Sequence, residues 1–165
     1  MNVFKVRGKF NWGDLIIAIL LPITLGFVST KLNFRMMEMY NEFEKPFFFP
    51  PAALFPVMWV VLYVLIGMAS YRIWMLRSEG GNAVKALTFY SVQLIINFAW
   101  PFVFFHFQLY GLAFFLILIL LVFLVYTAII FIKLDKFSGI LMIPYILWLI
   151  YAGVLNFFIW FIYEM

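Results

Sequence analysis

The sequence has no cysteine. That excludes disulfides, thiolate zinc sites, iron–sulfur ligation and cysteine nucleophiles together, and it leaves the redox compartment open. Charge is the second scarcity. Only 11% of the 165 residues are Asp, Glu, Lys or Arg, against about 25% in an average soluble domain. The middle of every long apolar run is free of charge, which argues against the intramembrane charges of ion-coupled pumps, proton relays and voltage sensors. The single histidine, His106, is weak evidence for a haem or metal ligand, and no metal site is nominated. A Gly-rich phosphate loop, an HExxH helix and a GxSxG elbow are all missing. The carboxylates gather in one loop rather than pairing across a cleft, so no general acid–base site is nominated. The basic residues are scattered between apolar runs, and without a basic patch no nucleic-acid partner is expected.

Apolar side chains are abundant: 68% of the chain is hydrophobic and 23% is aromatic, with a mean hydropathy of +1.11. A chain this short cannot bury that excess in a water-soluble core, so lipid is the solvent for most of it. A membrane-spanning helix needs about 20 apolar residues, and five such segments use most of the sequence. The expected architecture is an all-α integral membrane protein. It is a five-transmembrane-helix bundle forming a single membrane domain over 1–165, with helices at about 14–31, 52–76, 83–105, 109–132 and 138–163. The basic start before the first apolar run raises the question of a signal peptide. Pro22 in its middle, Lys31 after it and the lack of a small-x-small site favour a retained helix. Between the first two helices lies the most polar stretch, with Arg35, Glu38, Glu42, Glu44 and Lys45. Pro46, Pro50 and Pro51 discourage a continuous helix there, and a loop of this length is often functional.

Orientation follows from the basic residues. Five spans put Lys5, Arg7, Lys9, Arg72, Arg77, Lys85, Lys133 and Lys136 on one side, and Lys31, Arg35 and Lys45 on the other. The N-terminus is therefore expected in the cytoplasm, with the long first loop and the C-terminus opposite.

The polar groups at depth are amides and aromatics. At about 100° per residue, Phe55, Trp59 and Tyr63 share one side of the second span. Gln93, Asn97, Trp100 and Phe104 form a stripe on the third, and Tyr145, Trp148, Ala152 and Asn156 one on the fifth. Amides in hydrocarbon are costly unless satisfied, so these faces should turn into the bundle. There they either pack helices together or line an aromatic cavity for a planar apolar ligand. From spacing alone, packing is the simpler alternative. Trp12, Trp74 and Trp160 lie near helix ends, where tryptophan anchors to the interface.

Three blocks carry a family resemblance. The first runs from Tyr40-Asn-Glu-Phe-Glu-Lys-Pro-Phe-Phe-Phe-Pro-Pro through Phe55-Pro-Val-Met-Trp59 to Tyr63 and Gly67. The second is Gln93-Leu-Ile-Ile-Asn97-Phe-Ala-Trp100-Pro, ending Phe104-Phe105. The third is Pro144-Tyr145-Ile-Leu-Trp148 through Ala152-Gly-Val-Leu155-Asn156. In order and spacing they resemble the translocator protein (tryptophan-rich sensory protein) family along nearly the whole chain after the first helix. The resemblance implies a five-helix bundle, commonly a homodimer, with the loop between the first two helices acting as a lid over the pocket. It implies a membrane receptor or sensor for porphyrin-type tetrapyrroles such as protoporphyrin IX, or for other planar hydrophobic molecules, with no required cofactor. Its alternatives are light-dependent porphyrin degradation at Trp59 and Trp148, or carriage of hydrophobic ligands. The ligand-binding positions it implies are Phe55, Trp59, Tyr63, Asn97, Trp100, Phe104, Tyr145, Trp148, Ala152 and Asn156. Lys45, Pro46, Phe48, Pro50 and Pro51 fall in the lid. Phe48 stands where the family usually has tryptophan, so the ring is kept and the indole N–H is lost. A sterol-type pattern fails at the end of the fifth helix, where no basic residue follows Tyr163, and the match at Leu65, Tyr71 and Arg77 is of a weak kind.

Overall fold

The computed structural model describes residues 5–165. Six α-helices follow in order: α1 Trp12–Leu32, α2 Met36–Glu42, α3 Leu54–Trp74, α4 Gly81–Pro101, α5 Tyr110–Leu134 and α6 Lys136–Tyr163. Five of them are long and apolar enough to cross a membrane. Their bounds lie within two residues of those expected, except at the end of α4, where a π-helical turn at Phe102–His106 continues the span. The short α2 lies inside the loop that the prolines marked as irregular. The helix stops before Pro46, so both statements hold for different parts of that segment. Neighbouring spans pack in the ring order α1–α3–α6–α5–α4, which α4 closes back onto α1.

Two close approaches fix the ring. A Cβ on Gly67 of α3 would sit 2.7 Å from the Ile19 Cα and 2.8 Å from the Ala18 carbonyl oxygen of α1. Backbone therefore meets backbone at that crossing, the use membrane helices make of small residues. α5 and α6 are joined by Asp135 alone, which forces an antiparallel hairpin. Asp135 caps α6 by accepting the Ser138 N–H at 2.8 Å, and it accepts a forked pair of bonds from Arg72 of α3, at 2.6 Å from Nε and 2.8 Å from Nη2. At the opposite end the Glu164 carboxylate accepts the N–H groups of Tyr110 and Gly111 at 2.7 and 2.9 Å. A carboxylate at a helix N-terminus is favoured by both orphan donors and dipole. Each end of the bundle is thus clamped by one carboxylate.

Burial alone would push the Asp135 carboxyl up. The Arg72 hydrogen bonds, the Ser138 N–H and the Arg72 charge outweigh it and hold the group below the usual carboxylate range. A depressed folded-state pKa contributes stability that is complete above the unfolded value of about 3.9 and is lost as pH falls through the folded value. Asp135→Asn is expected to lower stability by about 3 kcal/mol at neutral pH. Thermal unfolding in detergent should show a constant gap from wild type above about pH 5, closing below about pH 4. Gly67→Val is expected to separate α1 from α3 and to lower the unfolding temperature by several degrees, while Gly81→Val, in open space, leaves it close to wild type.

Candidate functional site

Three helices bring their aromatic faces to one place. Phe55, Trp59 and Tyr63 recur every four residues on α3, Asn97 and Trp100 lie one turn apart on α4, and Trp148 and Ala152 on α6. Together with Ile117 and Leu120 of α5 and Ile23, Gly26 and Phe27 of α1, they enclose a cavity of about 360 Å³ in the loop-end half of the bundle. Gly26 is required by the ring it faces, because a Cβ there would run into Tyr63. The rings meet edge to face, Phe55 to Trp148 at 5.8 Å and Trp59 to Tyr145 at 6.0 Å between centroids, the geometry their quadrupoles prefer.

Polar groups are few and mostly committed. The Tyr63 hydroxyl donates to Asn97 Oδ1 at 3.0 Å, and Asn97 Nδ2 donates to the Tyr145 hydroxyl. One amide therefore ties α3, α4 and α6 together beneath the cavity. The Trp100 indole N–H donates to Asn156 Oδ1 at 3.2 Å, and Asn156 Nδ2 donates to the Tyr110 carbonyl at 2.8 Å, which fixes the plane of Trp100 where it stacks on Phe104 at 4.9 Å. The Trp148 indole N–H is buried away from the cavity surface without a hydrogen-bond partner among the described residues, and so are both amide atoms of the fully buried Gln93, which is not a lining residue.

Of the ten positions nominated from sequence, seven line this cavity: Phe55, Trp59, Tyr63, Asn97, Trp100, Trp148 and Ala152. Phe104 and Asn156 do not; they line a neighbouring space of about 40 Å³, shared with Trp100 and Ala152. Tyr145 is fully buried behind Trp59 and supports the wall from outside. The loop differs more. Lys45, Pro46, Phe48, Pro50 and Pro51 are not among the lining residues, and the cover is made by Met36, Met37 and Tyr40 of α2. The nominated residues hold that cover down. Tyr40 donates its hydroxyl to the Pro50 carbonyl at 2.7 Å, and Lys45 Nζ donates to the Tyr40 carbonyl at 2.6 Å while standing 4.5 Å over its ring. Tyr151 of α6 donates to the Phe48 carbonyl at 2.7 Å, and the Phe48 ring packs on Phe158 at 5.0 Å. Burial, with Tyr151 nearby, pushes the Tyr40 phenol up to about 12, so this latch stays protonated through the neutral range. Met36, Met37 and Tyr40 had a signal in sequence, an apolar spacing of i, i+1 and i+4, but one short helix gives too few turns to register.

The chain matches the TspO/MBR family over residues 18–161. It is 35% identical over 161 residues to the tryptophan-rich protein TspO of Archaeoglobus fulgidus, covering 97% of each chain. It is 35% identical to the tryptophan-rich sensory protein of Cereibacter sphaeroides, over 73% of each chain. The translocator protein of Ovis aries is 32% identical over 86% of this chain and 85% of its own.

The Tyr63–Asn97–Tyr145 linkage has a measurable signature. Asn97→Ala strands two buried hydroxyls and is expected to cost about 2–4 kcal/mol, whereas Tyr63→Phe removes one bond and should cost about 1 kcal/mol. Thermal unfolding in one detergent compares them, and equal losses would mean that Asn97 does not bridge the three helices.

Proposed function

Because the chain belongs to the TspO/MBR family, we propose that it is a multi-pass membrane receptor or sensor whose aromatic cavity binds porphyrin-type tetrapyrroles. The carrying observation is the convergence of Trp59, Trp100 and Trp148, from three helices, on one apolar space. Large flat ring systems gain most from such walls, by burial and by edge or face contact with indoles. The volume of about 360 Å³ falls in the range of small-molecule sites, about 300–1,000 Å³. The name of one related protein, the tryptophan-rich sensory protein of Cereibacter sphaeroides, accords with a sensor, while that of the Ovis aries relative, translocator protein, accords with carriage of a ligand. An N-terminus in the cytoplasm follows from the excess of basic residues at that end, and a homodimer from the family resemblance.

Dark titration of the detergent-solubilised protein with protoporphyrin IX tests this. Saturable quenching of tryptophan fluorescence is expected, with affinity reduced about tenfold or more in Trp59→Ala/Trp148→Ala, matching the loss of two packed indoles. Linear, non-saturating quenching that is the same in the double variant would overturn the proposal. Illumination after saturation separates sensing, which leaves the porphyrin spectrum intact, from degradation, which erases it.

A further inference from the structure

The cavity has a side as well as a cover. Among its lining residues, Phe27 and Thr30 of α1, Met37 of α2, and Pro56 and Val60 of α3 are also exposed on the outside of the bundle, whereas those of α4, α5 and α6 are buried or half-buried. The opening therefore lies between α1 and α3. The same seam is shut lower down, where Gly67 meets the α1 backbone and Gly26 faces the Tyr63 ring. On its other flank α1 is held to α4 by the Ser29 hydroxyl, which donates to the Phe98 carbonyl at 3.5 Å.

Depth decides what this opening faces. Phe27 is five residues before the end of α1 at Leu32, and Val60 is six residues after the start of α3 at Leu54. At about 1.5 Å per residue both lie about 8–9 Å below the helix ends, inside a leaflet rather than in water. The rim carries no charge, and its one hydroxyl, on Thr30, is spent on the Gly26 carbonyl at 3.0 Å. Opening the cover instead would break the bonds of Tyr40 to Pro50 and of Tyr151 to Phe48, together with the bond from the Glu44 N–H to the Tyr163 hydroxyl.

We propose that the gap between α1 and α3 is a lateral portal, through which a planar apolar ligand dissolved in the loop-end leaflet enters the cavity while α2 stays closed. This rests on the ligand-binding reading above. A bulky residue at the rim then acts as a kinetic gate that slows entry and exit together, and a fixed cover has no effect on either.

The test is stopped-flow fluorescence of protoporphyrin IX binding to protein reconstituted in vesicles. Val60→Trp is expected to slow association and dissociation together, each by about tenfold, and Val60→Ala to speed both, within the decades over which such rates vary. The Phe48→Cys/Phe158→Cys chain, whose two thiols are its only cysteines, can be closed with a short bis-maleimide. Its rates should equal those before cross-linking. Unchanged rates in both Val60 variants, or slowing by the cross-link as large as that in Val60→Trp, would overturn the portal and leave the pocket standing. Absence of saturable binding in the wild type is a different result, and it overturns the pocket and the portal together.

Discussion

Hydrocarbon offers Asn97 no water, so its amide must find partners within the protein or cost several times what a hydrogen bond returns. The structure meets that constraint by passing one hydrogen bond in from Tyr63 and one on to Tyr145, and the result locks three helices in register. Once α3, α4 and α6 are joined at that level, their aromatic residues one and two turns further along face one another across a gap. The cavity is a consequence of the linkage. Trp100 and Asn156 repeat the device nearer the loop end, with Asn156 passing the connection on to the Tyr110 carbonyl of α5.

Charge is kept to the two ends, where water and helix termini can satisfy it. Asp135 with Arg72 closes one end, and Glu164 on the first N–H groups of α5 closes the other. Between these clamps the interior polar contacts are neutral, as the charge-free middle of each span requires. The division has a mechanical sense. The clamps and the Gly67 crossing fix the helices at their ends and at one tight contact, and the loop-end half between α1 and α3 is left with uncharged rim residues and no hydrogen bond across the seam among the described residues. That half is where the structure can yield.

Much of this was legible in the sequence, because hydropathy and spacing are properties of single helices. Run length located the five spans, and the four-residue recurrence of Phe55, Trp59 and Tyr63 was enough to place them on the wall. Contacts between helices were less legible. Tyr145 and Trp148 share a stripe, yet Trp148 lines the cavity while Tyr145 lies behind Trp59. Phe104 and Asn156 lie on the right faces but one turn too far toward the loop, so they reach the adjoining space. Within the loop between α1 and α3, the proline segment is conspicuous in sequence, whereas the residues that line the cavity, Met36, Met37 and Tyr40, sit on a helix of seven residues, Met36–Glu42, that is not. The pairing of Arg72 with Asp135, 63 positions apart, has no local signature.

The central claim is that the space bounded by Trp59, Trp100 and Trp148 is a ligand site. An experimental structure of the protein with protoporphyrin IX tests it most directly. Density for the macrocycle in that space, beneath Tyr40 and with its edge toward Phe27 and Val60, is the expected result. Macrocycle density confined to the outer, lipid-facing surface, with the three indoles collapsed against one another, would contradict it.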